Sequence, residues 1–354
     1  MLYILSRTHR PVLLALSLAA LGLAGSTVYA QEGAKPIHVC ATVPELGSLT
    51  REVGGDQVSV TVFAKGTEDA HFVEAKPSFI KALSQANLYI QVGMDLEIGW
   101  APVLLQNARN GVVLPGGRGY LDASRIISPL EVPTGPVDRS MGDVHPLGNP
   151  HYLLDPLNGL KVARLIRDKL IELRPERKQY FDERYASFNQ RLGAALVGDK
   201  LAKKYDTDKL ARLFEHGKLD TFLKQQGEAS LLGGWLRVML PHYGIKAVAD
   251  HNMWPYFARR FGISVIGFME PKPGIPPTTK HLSALAELMR AEGVKIVLAA
   301  SYYNHRHARF ISEKTGARVV RMAHQVGARD GADEYLAMID YNVRQLAEAL
   351  EGKA

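Results

Sequence analysis

The chain has 354 residues, with 43 Lys and Arg against 36 Asp and Glu and a formal charge of +7. Opposite charges alternate along most of it, as in Arg174-Pro-Glu-Arg-Lys-Gln-Tyr-Phe-Asp-Glu-Arg184, which argues for a solvated mixed-sign surface and against a basic stripe for nucleic acid. The single Cys40 excludes an internal disulfide, so hydrophobic burial must hold the fold together.

The N-terminus reads as an export signal. Arg7 and Arg10 give a positive start, Val12 to Ala24 an apolar run, and Val28-Tyr29-Ala30 a small-x-small cleavage site before Gln31. That run is about 13 residues, short of the roughly 20 that a membrane span needs. The predicted mature chain starts after Ala30 and works outside the cytoplasm, in the periplasm. Cleavage removes two arginines and no acid, so the formal charge falls from +7 to +5. Cys40 lies ten residues past that point, in the strand-like Ile37-His-Val-Cys-Ala-Thr42. It is not placed to take a lipid anchor there and reads as an inert buried thiol.

The first half alternates strand and helix. β-rich runs at 37–41 and 58–63 flank a helical pattern at 45–53; Pro77 opens a short helix over 78–84, followed by an apolar strand at 88–92. Residues 127–150 carry several Pro and Gly without periodicity and read as a long loop. Pro156 leads into a helix at 160–173, and Pro175 restarts a run to about Lys204. Phe181, Tyr185, Phe188, Leu192 and Leu196 recur there at spacings of three and four, one apolar stripe. Some 30 residues at about 1.5 Å each predict a rod of about 45 Å, long enough to span two lobes.

The second half repeats the alternation, with strands at 246–249, 264–268, 295–298 and 318–321 and helices at 253–261, 278–291, 304–314 and 334–350. The predicted fold is α/β: two similar parallel-sheet lobes joined by one long backbone helix. The expected divisions are a signal peptide at 1–30, an N-terminal lobe at 31–158, a helical segment with the linking helix at 159–205, and a C-terminal lobe at 206–354.

Four histidines stand in loop contexts spread over the chain: His71 in Gly66-Thr-Glu-Asp-Ala-His71, His151 in Asn149-Pro-His151, His251 in Val248-Ala-Asp-His251, and His324 in Met322-Ala-His324. Neutral imidazole is the commonest metal ligand, and four nitrogen or oxygen donors suit zinc above all. In open α/β sheets ligands bind beyond the carboxyl ends of strands. His71 follows a strand there and His251 another, and we expect the two positions to be equivalent in the two lobes. His145, six residues before His151 on the same loop, is a competing donor or a delivery residue. Spacing does not choose between them. Asp155 reads as a helix N-cap. His242, His281, His305 and His307 lie beside helix termini and read as surface or capping residues.

No His-Glu-x-x-His helix, Gly-x-Ser-x-Gly elbow, P-loop or Gly-x-Gly-x-x-Gly fingerprint occurs in the sequence. A zinc hydrolase would need an open coordination position and a base, for which Glu68, Asp69 and Glu270 are available. Nothing marks an adhesive partner surface.

These motifs taken in order resemble the periplasmic metal-binding subunits of zinc and manganese ABC importers. The likeness runs through Val53-Gly-Gly-Asp56-x-Val58, Gly66 to His71 with Pro77-Ser78, Gly93 to Glu97 with Trp100, Asn149-Pro-His151 with Asp155-Pro156, His251 before Tyr256-Phe257, Gly262, and Glu334-Tyr335 to Asn342 and Leu346. The resemblance implies two lobes with metal in the cleft between them, three ligands at His71, His151 and His251 by motif, and a fourth near His324 by position. Leu153 stands where an aromatic residue is common, and the long His- and acid-rich loop of many zinc members is absent. The expected function is capture of Zn2+ by a monomer and its delivery to a membrane permease, with no chemistry done on the ion. Mn2+ is the alternative cargo; three or four imidazoles favour zinc, since manganese prefers carboxylate and water oxygen. His324 is the expected fourth ligand and His145 a peripheral residue.

Overall fold

The computed structural model describes residues 35–137, 144–272 and 274–352. The predicted signal peptide and its cleavage site after Ala30 lie outside them. Among the described residues no helix is long and apolar enough to cross a membrane.

Two four-stranded parallel sheets organise the chain. The first holds β1 (Ile37–Ala41), β2 (Val58–Val62), β3 (Leu88–Gln91) and β4 (Tyr120–Asp122), in the order β2-β1-β3-β4. Helices α1 (Pro44–Gly54), α2 (Pro77–Ser84) and α3 (Ala101–Ala108) connect them. Each has Pro in its first turn, where the missing N–H is harmless and the fixed φ favours helix. After the long loop come a 3-10 turn at Tyr152–Leu154, α4 (Pro156–Leu173) and α5 (Lys178–Val197). Asp155 caps α4 as expected, its carboxylate accepting from the Leu157 N–H.

The predicted 45 Å rod is shorter than expected. α5 runs for 20 residues, about 30 Å. It stops at Gly198, whose φ of 86° and ψ of 147° leave the helical region. A Cβ there would come within 2.8 Å of Gly233. α6 (Asp199–Lys204) then follows as a separate helix. α5 remains the link between the lobes, packing on α1 from one side and on elements of the second lobe from the other.

Short helices follow: α7 (Thr207–Glu215), α8 (Leu219–Gln225) and α9 (Gly234–Met239). The second sheet comprises β5 (Ile245–Ala249), β6 (Ile263–Phe268), β7 (Ile296–Ala299) and β8 (Arg318–Arg321), in the order β6-β5-β7-β8. Its helices are α10 (Pro255–Phe261), α11 (Thr279–Ala291), α12 (His305–Thr315) and α13 (Tyr335–Glu351). The strand order repeats that of the first sheet, so both lobes have one topology.

The larger hydrophobic cluster runs through both lobes, from β1 and β3 through α4 and α5 to β5 and α13, and a smaller one packs α11 and α12 against β5 and β7. Cys40 is fully buried in the larger one. Burial pushes its thiol up to about 12, which makes it inert.

Candidate metal centre

All eight strands are parallel to their sheet neighbours, so each sheet gathers its strand carboxyl ends along one edge. The loops that carry the histidines leave from those edges. His71, His151 and His251 meet there: each offers a ring nitrogen, and the three nitrogens lie within 4.8 Å of one another. Ring centroids are 5.3 Å apart for His71 and His151, 5.7 Å for His151 and His251, and 6.0 Å for His71 and His251. Nitrogens around a tetrahedral zinc ion are about 3.4 Å apart, given Zn–N bonds of about 2.0–2.1 Å. The three rings therefore need only small inward shifts to enclose one ion.

Two carboxylates set the tautomers. His71 Nδ1 lies 2.7 Å from Asp69 Oδ1, and Asp69 also accepts from the His71 backbone N–H at 3.0 Å. His251 Nδ1 lies 2.7 Å from Glu270 Oε2. A carboxylate only accepts, so in both rings Nδ1 carries a proton and Nε2 is the atom that can be offered to an ion. The loop around His71 is pinned by Trp100, whose Nε1 donates to the Ala70 carbonyl at 3.0 Å. His151 is oriented through its backbone, its N–H donating to Asn149 Oδ1 at 3.0 Å. Burial, then the neighbouring imidazoles, hold His151 well below the ordinary imidazole range. The ring is therefore neutral and able to bind metal at physiological pH.

The lobes are not equivalent in the way expected. His71 follows β2, whereas His251 follows β5, the counterpart of β1 in the second sheet. The position just beyond β6, the counterpart of β2, belongs to Glu270. It holds the His251 ring there.

His324 does not join the group. Its Nε2 lies 3.2 Å from the Glu68 carbonyl, its Nδ1 3.3 Å from Ser301 Oγ, and its ring packs edge-on to Tyr302 at 4.6 Å. Burial lowers it to about 4, so it too is neutral. His145 comes closer: its Nε2 is 3.0 Å from His71 Nε2, and the two rings stack at 5.1 Å. Its ring also hydrogen-bonds the Met94 backbone, and burial followed by the neighbouring His71 and His251 lowers it to about 3. His145, His151 and His251 line one cavity of about 70 Å³, together with Glu131, Asn149 and Asn252.

Sequence reading missed several supports. Asp250 is fully buried and accepts from the His251 N–H at 2.7 Å, fixing the turn that presents this ring. Tyr303 stacks on His251 at 5.9 Å. An acid directly before the histidine was the one visible signal. The three carboxylates available to a hydrolase are otherwise engaged: Asp69 and Glu270 hold the His71 and His251 rings, and Glu68 pairs with Lys65 at 3.1 Å.

The family model for ZnuA, described as zinc-uptake complex component A, periplasmic, matches residues 39–205 and 236–349. The chain belongs to this family. ZnuA-family proteins are extracytoplasmic metal-binding, substrate-binding components of ABC transporters that work with a membrane permease; they are not enzymes. Among curated relatives, the chain is 22% identical over 347 residues to the metal ABC transporter substrate-binding lipoprotein ScbA of Streptococcus cristatus, covering 96% of this chain and 97% of that one. It is 23% identical over 321 residues to the manganese ABC transporter substrate-binding lipoprotein PsaA of Streptococcus pneumoniae serotype 4, covering 89% of each. A crystal structure of ZnuA superposes with a TM-score of 0.65 at 21% identity, over 89% of this chain and 99% of that one. A Mn-bound periplasmic metal-binding protein from Candidatus Liberibacter asiaticus gives 0.63 at 16% identity, over 88% and 98%. These likenesses carry the ZnuA fold, two α/β lobes joined by a long helix.

Proposed function

We propose that this ZnuA-family chain captures Zn2+ in the periplasm and hands it to its ABC permease. His71, His151 and His251 bind the ion through ring nitrogens, and His145 takes the fourth position in place of His324. One observation carries the reading: three buried or half-buried imidazoles converge within 4.8 Å, two of them with Nδ1 held by a carboxylate. An all-nitrogen set ranks zinc far above manganese, which favours oxygen donors. His145 is preferred because two Nε2 atoms 3.0 Å apart need either a shared proton or a cation between them. His324 faces a carbonyl instead.

The manganese reading has its own support, since PsaA relatives are named manganese-binding and a Mn-bound neighbour shares the fold. Metal analysis of the protein purified from its native compartment without added metal tests the choice. Zinc at one equivalent is expected; manganese in its place reverses the assignment. The chain is exported by a signal peptide cleaved after Ala30 and acts as a monomer, which N-terminal sequencing and sedimentation check.

A further inference from the structure

His151 and His251 approach the metal centre from different lobes, so something must fix the distance between them before an ion arrives. Three residues spaced four apart do this from the His251 side: Asn252 on the turn, through its backbone carbonyl, then Tyr256 and Arg260 through side chains on one face of α10. Each meets the segment carrying His151. Asn149 Nδ2 donates to the Asn252 carbonyl at 2.8 Å. Tyr256 Oη donates to the Asn149 carbonyl at 2.9 Å and accepts from the Leu130 N–H at 2.9 Å. Arg260 grips Asp155 with two parallel bonds, Nε to Oδ1 and Nη2 to Oδ2, both 2.8 Å. Its remaining Nη1 lies 2.6 Å from Glu215 Oε1.

Both ends of the innermost link are rigidly tied to a ligand. Asp155 is fully buried and caps α4. A single 3-10 turn joins it to His151, with Leu154 N donating to the His151 carbonyl at 3.3 Å. Arg260 is 4% exposed and sits on the helix entered directly from His251. A buried ion pair contributes little net stability, because desolvation offsets its attraction. A bidentate guanidinium fork does impose distance and angle, which lysine does not.

We propose that Asn252, Tyr256 and Arg260 form a ruler that sets the spacing of His151 and His251, and thereby the discrimination between metal ions. This rests on the proposed metal centre. Zinc needs four short bonds in a tetrahedral arrangement, so it loses most when the ligands drift apart. Manganese takes more oxygen donors, including water, and tolerates a looser set. Arg260 and Tyr256 are positioning residues: they touch the ligand-bearing segments and not the ion.

The test compares Arg260→Lys and the milder Tyr256→Phe with the parent protein, using zinc, manganese and cobalt. Removing a group hydrogen-bonded to a ligand costs about 10- to 100-fold in metal affinity, and Arg260 and Tyr256 act one contact further out, so the lower part of that range applies. For Arg260→Lys we expect a zinc loss in that range, a manganese change below about threefold, and a weaker visible band from bound Co2+ as tetrahedral geometry is lost. Tyr256→Phe should shift the zinc-to-manganese ratio in the same direction by less. If Arg260→Lys fails to fold, Tyr256→Phe decides. Equal losses for zinc and manganese, or an unchanged ratio and cobalt spectrum in folded variants, overturn the ruler. A parent protein that itself shows no zinc preference would count against the functional reading instead, and the cobalt spectra of the variants would still decide the ruler.

Discussion

Glu270 Oε2 lies 2.7 Å from His251 Nδ1, and the same carboxylate oxygen accepts from the Gly274 N–H at 2.9 Å. The acid is thus fixed at the end of β6, and it fixes the imidazole in turn. Asp69 does the same for His71 within one loop. Two imidazoles from the two lobes are thereby held at Nδ1, which leaves Nε2 as the atom each can offer to an ion.

Glu270→Gln and Asp69→Asn should each weaken zinc binding about 10- to 100-fold, because an amide neither selects the tautomer nor strengthens the ring as a donor. Titration against a competing chelator measures this. Parent-level affinity in both variants would remove the carboxylates from the account.

His71→Ala, His151→Ala and His251→Ala should each cost orders of magnitude in zinc affinity with the fold retained, since each removes one of three convergent nitrogens. His145→Ala should cost less, because water can fill one vacated tetrahedral position. His324→Ala should leave equilibrium affinity nearly unchanged, its Nε2 being held by the Glu68 carbonyl. A larger loss from His324→Ala than from His145→Ala would restore His324 as the fourth ligand.

Zinc added to metal-free protein should raise the melting temperature. Binding to the folded state alone stabilises by about 4 kcal/mol at a thousandfold excess over Kd. Manganese at the same concentration should give a smaller shift. An equal or larger manganese shift in calorimetry would speak for the manganese reading.

Acid should destabilise the metal-free protein partly through His324. Burial lowers the folded imidazole to about 4, whereas an unfolded histidine titrates near 6.5. Between those values the unfolded chain binds more protons, so this contribution is complete above about pH 6.5 and is lost as pH falls toward 4. The full loss is on the order of 3 kcal/mol. His324→Phe should flatten the dependence of stability on pH in that window, read by urea unfolding at each pH. Identical slopes for parent and variant would contradict it.

Gly159→Ala should destabilise the chain by about 1–3 kcal/mol through overpacking. A Cβ at Gly159 would meet Tyr335 Oη at 2.0 Å, and that fully buried ring cannot withdraw without losing its hydrogen bond to the Leu153 carbonyl at 2.7 Å. Urea denaturation midpoints check this, with Lys161→Ala on the same helix as an exposed-side control.

Much of the fold is written locally. β1, β2, β3 and β8 are short β-rich runs, and their bounds in the structure match the expected ones within a residue. Proline at the first turn of α1, α2, α4 and α10 marks helix starts by a backbone constraint that needs no tertiary partner. What the sequence left open depended on distant contacts. β4 is three residues long and is a strand only because β3 lies beside it. α3 carries Pro102 inside an apolar run, and α7 to α9 are too short for a clear period. Gly198 ended the predicted rod because its backbone must pass close to Gly233. The same division holds at the candidate metal centre. The chain by itself determined that His71, His151 and His251 stand in loops suited to ligands. Only the tertiary structure decided that Asp69 and Glu270 orient two of those rings, that His145 meets His71, and that His324 turns to Glu68. A loop's path through space is fixed by what packs against it, and no local spacing records that.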